Sequence, residues 1–352
     1  MKRYTKALSV MMTAAMAVSL AACGTNSKST DSAVNNTLGA ASTQTVALSD
    51  APDSSSGSKV YTIGICQQLE HPALDAATKG FEEALTKLLG KDHVKFDLQN
   101  AQGEQANCAT ICNGFVSSNY DLILGNATTA LQCAAAATST IPVLGTSITD
   151  YATALDIDDW TGATGTNVSG TSDLAPLDQQ EDMLLELFPD VKNVGILYCS
   201  SEPNSSYQAK EFAKYLSEDG IKCTEFTASD SNDIASVVQN AVALGGVLYI
   251  PTDNTMAANA ETISNIALPA GVPIIAGEEG ICSGCGVATL SIDYYDIGYK
   301  AGEMAYDILV NGADTSTMEI QNAPNVTKEY NADLCAQLGI KVPDDYTAID
   351  AE

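Results

Sequence analysis

Candidates for acid, base or metal chemistry are few in this sequence. His71 and His93 are its two histidines, and neither has the spacing of a metal ligand or of a Cys-His pair. Glu70 lies beside His71 like an acid-base pair, but Pro72 follows at a helix start, so cleft lining or capping is the simpler interpretation. GxSxG, HExxH and Walker A sequences are absent, as is a GxGxxG after the first strand. The sequence predicts a protein that is not an enzyme and holds no cofactor or metal.

The cysteines give no clear chemistry either. Nine follow position 23, most of them inside apolar strand or helix patterns, where cysteine behaves as a small hydrophobic residue. Cys282 and Cys285 form the single CxxC, without a second CxxC or a nearby histidine to complete a zinc site. Free thiols are the prediction for this pair, with a local disulfide and metal binding as its alternatives.

Small polar and acidic residues collect where predicted strands end. They also sit where helices begin, so each one alone could be a helix N-cap, but their clustering at equivalent points favours ligand binding. The candidate ligand-binding residues are Glu70, Asn126, Thr128, Thr129, Thr146, Ser147, Ser200, Ser201, Asp253, Asn254, Glu278 and Asp293.

These residues must be positioned by the predicted strands and helices. Short segments rich in β-forming residues alternate along the sequence with longer amphipathic segments. The predicted strands are 60–66, 94–98, 122–125, 142–145, 194–198, 223–226, 247–250 and 273–276, followed by 287–292. Between the first two, apolar residues recur every three or four positions, which predicts a helix lying on a sheet. Similar stripes fall within 183–187, 212–216, 234–242 and 297–309. The pattern occurs twice, which predicts an α/β protein of two similar lobes, each a parallel sheet flanked by helices.

The N-terminus has the features of a bacterial export signal. Lys2, Arg3 and Lys6 precede an apolar run over residues 7–22 that is short for a membrane span. The run ends in Leu20-Ala21-Ala22-Cys23-Gly24, which resembles a lipobox. We expect residues 1–22 to be a signal peptide, Cys23 to be acylated, and residues 23–58 to be a flexible tether. The alternatives are a plain signal peptide with a chance cysteine and an ordinary disordered N-terminus.

The net negative charge of the chain limits which molecules could bind it. Without residues 1–22 the chain has 13 lysines and no arginine against 44 acidic residues, so it should repel nucleic acid and anionic lipid. It also has no guanidinium for a ligand carboxylate, which would need hydroxyls and backbone N–H groups at helix starts.

Several segments resemble the type I ABC transporter substrate-binding proteins that include the tryptophan- and tyrosine-binding lipoproteins. They are Gln68-Leu69-Glu70-His71-Pro72-Ala73-Leu74-Asp75, Asn100-Ala101-Gln102-Gly103-Glu104, Gly170-Thr171-Ser172-Asp173, Ser200-Ser201-Glu202-Pro203-Asn204-Ser205 and Val247-Leu248-Tyr249-Ile250-Pro251-Thr252-Asp253-Asn254-Thr255. The resemblance implies a type I periplasmic-binding-protein fold that closes on a small ligand between its lobes. It also implies a partner ABC permease with its ATPase. Together with the lipobox, it places the protein on the outer face of the cell membrane with only a lipid as anchor, and we expect a monomer. The implied ligand is an aromatic amino acid: tryptophan, tyrosine or phenylalanine. A surface sensor or adhesin of the same fold, and an importer component for a sugar or nucleoside, remain alternatives.

The predicted division places residues 59–168 and 285–311 in an N-terminal lobe, and 169–284 and 312–352 in a C-terminal lobe. We expect residues 126–129 with Thr146 and Ser147 to bind the ligand carboxylate. Asp253, with Glu278 as second choice, should bind the ammonium, unless Asp253 only caps the helix beginning near Thr255. The apolar wall depends on which of five side chains face inward: Leu69, Trp160, Tyr198, Tyr207 and Tyr294.

Overall fold

The computed structural model describes residues 59–323 and 325–349. The predicted signal peptide, Cys23 and the whole of the tether lie outside the described residues. None of the described helices combines the length and the apolar character needed to cross a bilayer.

Strands and helices alternate along most of the described chain. The first group comprises β1 (Tyr61–Gln67), α1 (Pro72–Leu89), β2 (Val94–Asn100), α2 (Gln105–Ser117), β3 (Leu122–Asn126), α3 (Thr128–Ala137), β4 (Val143–Ile148), α4 (Tyr151–Leu155) and β5 (Val168–Ser172). The second group comprises α5 (Leu177–Leu187), β6 (Asn193–Cys199), α6 (Pro203–Glu218), β7 (Lys222–Ala228), α7 (Ile234–Val242), β8 (Val247–Ile250), α8 (Asn254–Ala257), α9 (Ala260–Ala267), β9 (Ile274–Ala276), α10 (Glu279–Cys285) and β10 (Ala288–Ser291). The remainder comprises α11 (Tyr294–Asn311), a 3₁₀ turn (Thr315–Thr317), β11 (Gln321–Asn322), β12 (Thr327–Tyr330), α12 (Ala332–Leu338) and β13 (Thr347–Ala348).

These elements form two sheets. The first has the strand order β11-β5-β4-β3-β1-β2 and is parallel throughout. The second has the order β13-β12-β10-β9-β8-β6-β7 and is parallel except for the β10–β12 pair. Each sheet has helices packed on it, so the predicted α/β fold of two lobes is confirmed. β3 is buried along its whole length, as expected for a central strand covered on both faces.

Sheet membership corrects the predicted lobe boundaries. β5 extends the first sheet to Ser172, beyond the boundary predicted at residue 168. β10 pairs with β9 in the second sheet, so the return that was predicted from residue 285 begins only with α11. β11 pairs with β5 in the first sheet, although 312–352 was assigned to the other lobe. The chain leaves a sheet only where a strand ends, and the three crossings therefore follow β5, β10 and β11.

The return of α11 to the first lobe depends on close helix packing against α1. A Cβ at Gly80 would collide with the backbone of Tyr295, and one at Gly298 would collide with the backbone of Ala77. Glycine at both positions allows the two helices to approach closely. This contact fixes α11, and with it the second crossing, against the first lobe.

Candidate ligand-binding cleft

Two polar contacts join the lobes beyond the ends of the sheet strands. His71 follows β1, and its Nε2 lies 3.1 Å from Oδ1 of Asn254, the first residue of α8. Gln208 of α6 donates from Nε2 to Thr149 Oγ1, which follows β4, at 3.4 Å. His71, Asn254, Gln208 and Thr149 are all buried. The carboxyl ends of the strands of both sheets therefore face a common cleft, which these contacts bridge.

Glu202 anchors the second-lobe side of the His71 contact. Its carboxylate accepts hydrogen bonds from Asn254 Nδ2 at 2.6 Å, from Thr255 Oγ1 at 2.7 Å and from the backbone N–H of Thr255 at 2.8 Å. Because Nδ2 of Asn254 donates to Glu202, its Oδ1 is the acceptor toward His71. Nε2–H of His71 must then be the donor, and His71 Nδ1 is left without a partner.

His71 is held in its neutral form. Burial lowers the pKa of its imidazole, and the hydrogen bond to Asn254 and the nearby carboxylates of Glu202 and Asp75 only partly oppose that effect. Glu70, rather than His71, was the ligand contact predicted from the sequence. Glu70 is exposed and its side chain makes no hydrogen bond within the described residues.

Asp173 lies at the first crossing between the lobes. Its carboxylate accepts hydrogen bonds from Thr149 Oγ1 and from the Tyr294 hydroxyl, each at 3.0 Å. Burial raises its pKa to about 6, even though both hydroxyls favour the ionised form. Burial also raises the pKa of the Tyr294 hydroxyl, as does the charge of Asp173. Asp173 is the first residue beyond β5, and the candidate list did not include it.

Three of the four acids chosen from the sequence, Asp253, Glu278 and Asp293, serve as helix caps. Asp253 accepts the backbone N–H of Cys199 at 2.6 Å and that of Met256 at 2.8 Å. Glu278 accepts the backbone N–H groups of two residues at the start of α10. The exposed Asp293 caps α11 in the same way. Burial raises the pKa of Asp253 to about 8 and that of Glu278 to about 7. The carboxylate of Asp253 is therefore committed to its own lobe, which speaks against its predicted contact with an ammonium.

The first-lobe candidates do lie together. Asn126 donates from Nδ2 to the Leu74 carbonyl at 2.8 Å and to Thr78 Oγ1 at 2.9 Å, which attaches the end of β3 to α1. The backbone N–H of Thr129 donates to Gln68 Oε1 at 3.1 Å. Thr128 is buried at the start of α3, and Thr146 accepts a hydrogen bond from Thr171.

Ser147 has the most unusual backbone of the set. Its φ is +59°, a left-handed conformation that costs a non-glycine residue about 1–2 kcal/mol, and the β4–β5 register is irregular there. Its buried hydroxyl has no hydrogen-bond partner.

Asn126 Oδ1 in the first lobe and Asn204 Oδ1 in the second are unpartnered in the same way. Together with His71 Nδ1, four buried polar atoms near the cleft thus lack a partner, although such atoms are normally satisfied.

The remaining candidates contact their own lobe. Ser200 donates its hydroxyl to the Ala228 carbonyl at 3.2 Å, and the hydroxyl of Ser201 lies 3.1 Å from Cys199 Sγ. Both serines are exposed.

The aromatic candidates lie in different parts of the structure. Tyr198 packs in the second-lobe core and donates to Glu225, while Trp160 is 39% exposed. Tyr207 on α6 is half-buried, and burial together with the charge of Asp150 from the first lobe raises its pKa. Tyr207 and Tyr294 are thus the aromatic residues at the junction of the lobes. Leu69 is half-buried near Gly103.

Among the described residues, no group of three or more Cys, His, Asp or Glu side chains could hold a metal ion. The nine cysteines of this part of the chain are free, Cys282 and Cys285 included.

A family model for the ABC transporter substrate-binding proteins matches residues 62–351. The chain belongs to this family. A tyrosine-binding protein of Clostridioides difficile (strain R20291) is 38% identical over 253 residues, which are 71% of this chain and 73% of that protein. The family role is non-enzymatic, as the sequence predicted.

Two solved structures bear on the arrangement of the lobes of this substrate-binding protein. An ABC domain of Streptococcus pneumoniae in complex with L-Trp is 32% identical, with a TM-score of 0.78 over 81% of this chain and 97% of that one. The ligand-free, open structure of a substrate-binding protein with adhesive properties from Clostridium difficile is 35% identical, with a TM-score of 0.64 over 83% and 100%. The score is lower for the open structure although identity and coverage are higher. The lobes therefore adopt an arrangement closer to the ligand-bound one, in agreement with the bridging contacts of His71 and Gln208.

Proposed function

We propose that this substrate-binding protein captures a zwitterionic aromatic amino acid outside the cell and delivers it to an ABC importer. The observation that carries the proposal is the set of unpartnered buried polar atoms near the cleft, on both lobes. A ligand bound in the cleft can supply these hydrogen-bond partners. The tyrosine-binding and L-Trp-bound relatives support the class of ligand.

The carboxylate end of the ligand fits the first lobe. The hydroxyl of Ser147 is a free donor, and Thr128 begins α3, whose first N–H groups favour an anion. This assignment keeps the carboxylate site that the sequence predicted, with Ser147 as its central donor.

The ammonium end fits Asp173 better than Asp253. Both oxygens of Asp253 accept short bonds from backbone N–H groups, whereas Asp173 accepts from two side-chain hydroxyls at 3.0 Å. No lysine in the described part of the chain forms an ion pair with Asp173. An ammonium would supply the missing counter-charge for this buried acid, through a charge-assisted hydrogen bond.

Ligand analogues test both ends. L-tyrosine, L-tryptophan and L-phenylalanine are compared with tyramine, which lacks the carboxylate, and N-acetyl-tyrosine, which lacks the ammonium. An amino acid at 100 times its Kd should stabilise the protein by about 2.7 kcal/mol. Both truncated analogues should give much smaller shifts in Tm. Stabilisation by myo-inositol, a nucleoside or tyramine, with no response to the amino acids, would overturn the ligand assignment.

Variants assign the ammonium contact. Loss of a charge-assisted hydrogen bond costs about 1.5–3 kcal/mol, so Asp173→Asn should weaken binding by roughly 10- to 150-fold. Asp253→Asn is the matched control, because it changes a buried acid of the same size that faces backbone N–H groups. Equal losses of affinity in both folded variants would refute the assignment.

The anchor and the partner complete the proposal. Cys23→Ala should release the protein from the membrane fraction, since so acidic a chain has little other attraction to an anionic surface. Deletion of the permease that receives the ligand should abolish uptake of labelled amino acid. Normal uptake in that strain would instead favour a sensor or adhesin, a role supported here only by the relative described as adhesive.

A further inference from the structure

Three of the buried, unpartnered atoms near the cleft can only accept hydrogen bonds: Nδ1 of His71 and the Oδ1 atoms of Asn126 and Asn204. The neighbours of the two amides fix their orientation. Asn126 Nδ2 donates to the carbonyl of Leu74 at 2.8 Å. Asn204 Nδ2 donates to the carbonyl of Thr252 at 3.1 Å. A carbonyl has no hydrogen to donate, so a flipped amide would place two acceptors against each other. Each Oδ1 is therefore an acceptor without a partner in the described part of the chain.

His71 Nδ1 is an acceptor because of the contact at the other nitrogen of the ring. Nε2 carries the proton and donates to Asn254, whose own Nδ2 donates to Glu202. A neutral imidazole has one N–H, so Nδ1 carries a lone pair. His71 precedes α1, yet its side chain makes no hydrogen bond to the N-terminus of that helix. The buried lone pair is thus available to a ligand.

The head group of an amino acid has too few donors for all three acceptors. The carboxylate donates no hydrogen bond, and the ammonium has three N–H groups. In the proposed function at least one of these N–H groups goes to Asp173. The other two can reach at most two of the three acceptors. The third acceptor therefore needs a donor elsewhere on the ligand.

Strand order shows which acceptor lies farthest from the head group. β5, β4, β3 and β1 are neighbours in that order and run parallel, so their carboxyl ends lie along one edge of the first sheet. Asp173 follows β5, Ser147 lies in β4, Asn126 ends β3 and His71 follows β1. Neighbouring strands lie about 4.8 Å apart, so the end of β1 is about 10 Å from that of β4 and about 14 Å from that of β5. His71 therefore lies on the side of the cleft toward which the ring of the ligand extends.

Asn204 belongs to the head-group side instead. It is on α6 one turn before Gln208, which contacts Thr149 beyond β4. Thr149 in turn donates to Asp173. Asn204 and Gln208 also donate to the same carbonyl, that of Thr252. These contacts place Asn204 beside the acid assigned to the ammonium, so its Oδ1 suits one of the ammonium N–H groups.

We infer that His71 Nδ1 accepts a hydrogen bond from a donor on the aromatic ring of the ligand, and that the protein selects tyrosine or tryptophan over phenylalanine. The inference rests on the proposed function, because it takes the head group to lie at Asp173 and Ser147. The phenol O–H of tyrosine and the indole N–H of tryptophan are such donors, and the ring of phenylalanine has none. Phenylalanine would leave a buried nitrogen unpaired, and a binding site rejects a ligand that does so.

Ligand pairs that differ by one donor test the selection. L-tyrosine is compared with L-phenylalanine, and L-tryptophan with 3-(3-benzothienyl)-L-alanine, in which sulfur replaces the indole N–H. Titration calorimetry on the unaltered protein identifies the pair that contains the tightest ligand. Within that pair, the Kd of the member without the donor should be roughly 5- to 150-fold higher. Equal Kd values, or tighter binding of the member without the donor, overturn the inference and leave an aromatic amino acid as the ligand. If none of the four compounds binds, the proposed function fails and the inference fails with it.

Variants assign the selection to His71. His71→Phe keeps a ring without nitrogen, so both members of the pair should bind more weakly and the ratio of their Kd values should fall to about one. Asn204→Ala is the control, because it removes an acceptor assigned to the head group. It should weaken both members by a similar factor and keep the ratio of the unaltered protein. If His71→Phe does not fold, His71→Ala is used with the same readout. A ratio that persists in the folded His71 variant, or that Asn204→Ala lowers equally, overturns the inference.

Discussion

Protonation of His71 should weaken ligand binding in mild acid. In the closed arrangement the buried imidazole is neutral and donates to Asn254, and burial lowers its pKa from the ordinary 6.5. When the lobes separate, water reaches the ring and the pKa returns toward 6.5. The closed form therefore binds fewer protons than the open form. Closure is fully favoured above about pH 6.5 and is progressively lost as the pH falls below that value.

The size of the effect follows from linkage. At pH 5.5 an open form with a pKa of 6.5 is about nine-tenths protonated, and closure must expel that proton. Affinity should thus fall by about tenfold between pH 7.5 and pH 5.5, if the closed form stays neutral throughout. The carboxylates of Glu202 and Asp75 face the ring and reduce this figure by stabilising the imidazolium.

Titration calorimetry with L-tyrosine or L-tryptophan at several pH values measures this dependence. His71→Gln retains an N–H donor but cannot titrate, so its affinity should lose this part of the pH dependence. His93→Gln is the matched control, since His93 lies before β2, and it should behave like the unaltered protein. Asp173 and Glu278 also titrate in this range in all three proteins. The contribution of His71 is therefore the difference between the pH dependence of the affinity of the unaltered protein and that of His71→Gln. Equal losses of affinity on acidification for the unaltered protein and His71→Gln would refute the reasoning.

Three further predictions concern the residues around the cleft. Ser147→Gly removes both a left-handed strain of about 1–2 kcal/mol and a free hydroxyl, so thermal unfolding should show unchanged or higher stability while calorimetry shows weaker binding; unchanged affinity would exclude Ser147 from the site. Burial raises the folded-state pKa of Glu278 to about 7, so its contribution to stability is complete below pH 4.5 and is lost as the pH rises through 7. Glu278→Gln should therefore unfold in urea with a flatter pH profile, by up to about 3 kcal/mol between pH 5 and 8, and identical profiles would contradict this. Asp253→Ala should lower the free energy of unfolding by about 1–3 kcal/mol through lost caps and leave the Kd within about threefold; normal stability with much weaker binding would restore the ammonium role that the sequence suggested.

The sequence predicted the fold well because the fold depends on local periodicity. Each of the nine predicted strands overlaps an observed one, and the helical stripes between them lie on helices. The missed strands show the limit of this approach. β11 and β13 have two residues each, and their identity as strands comes from pairing with β5 and β12. No local pattern encodes such pairing, and for that reason the last crossing was displaced. The first crossing was displaced because β5, with the sequence Val-Ser-Gly-Thr-Ser, was not predicted as a strand, and the second because β10 pairs with β9.

The candidate site was harder to predict because helix caps and ligand contacts occupy the same positions. In a parallel α/β lobe, the residue after a strand is often the residue before a helix, and acids are favoured there for either purpose. Asp253 and Asp173 both follow strands, yet only the structure shows that backbone N–H groups donate to both oxygens of the first and side-chain hydroxyls to both oxygens of the second. Glu202 was equally hidden, since its partners Asn254 and Thr255 are 52 and 53 residues away in sequence. What distinguishes a ligand contact from a cap is hydrogen-bonding capacity left over after folding, which is a property of the tertiary structure. By that criterion Ser147 is the strongest of the sequence candidates. Its backbone has a strained left-handed conformation, and its buried hydroxyl has no hydrogen-bond partner.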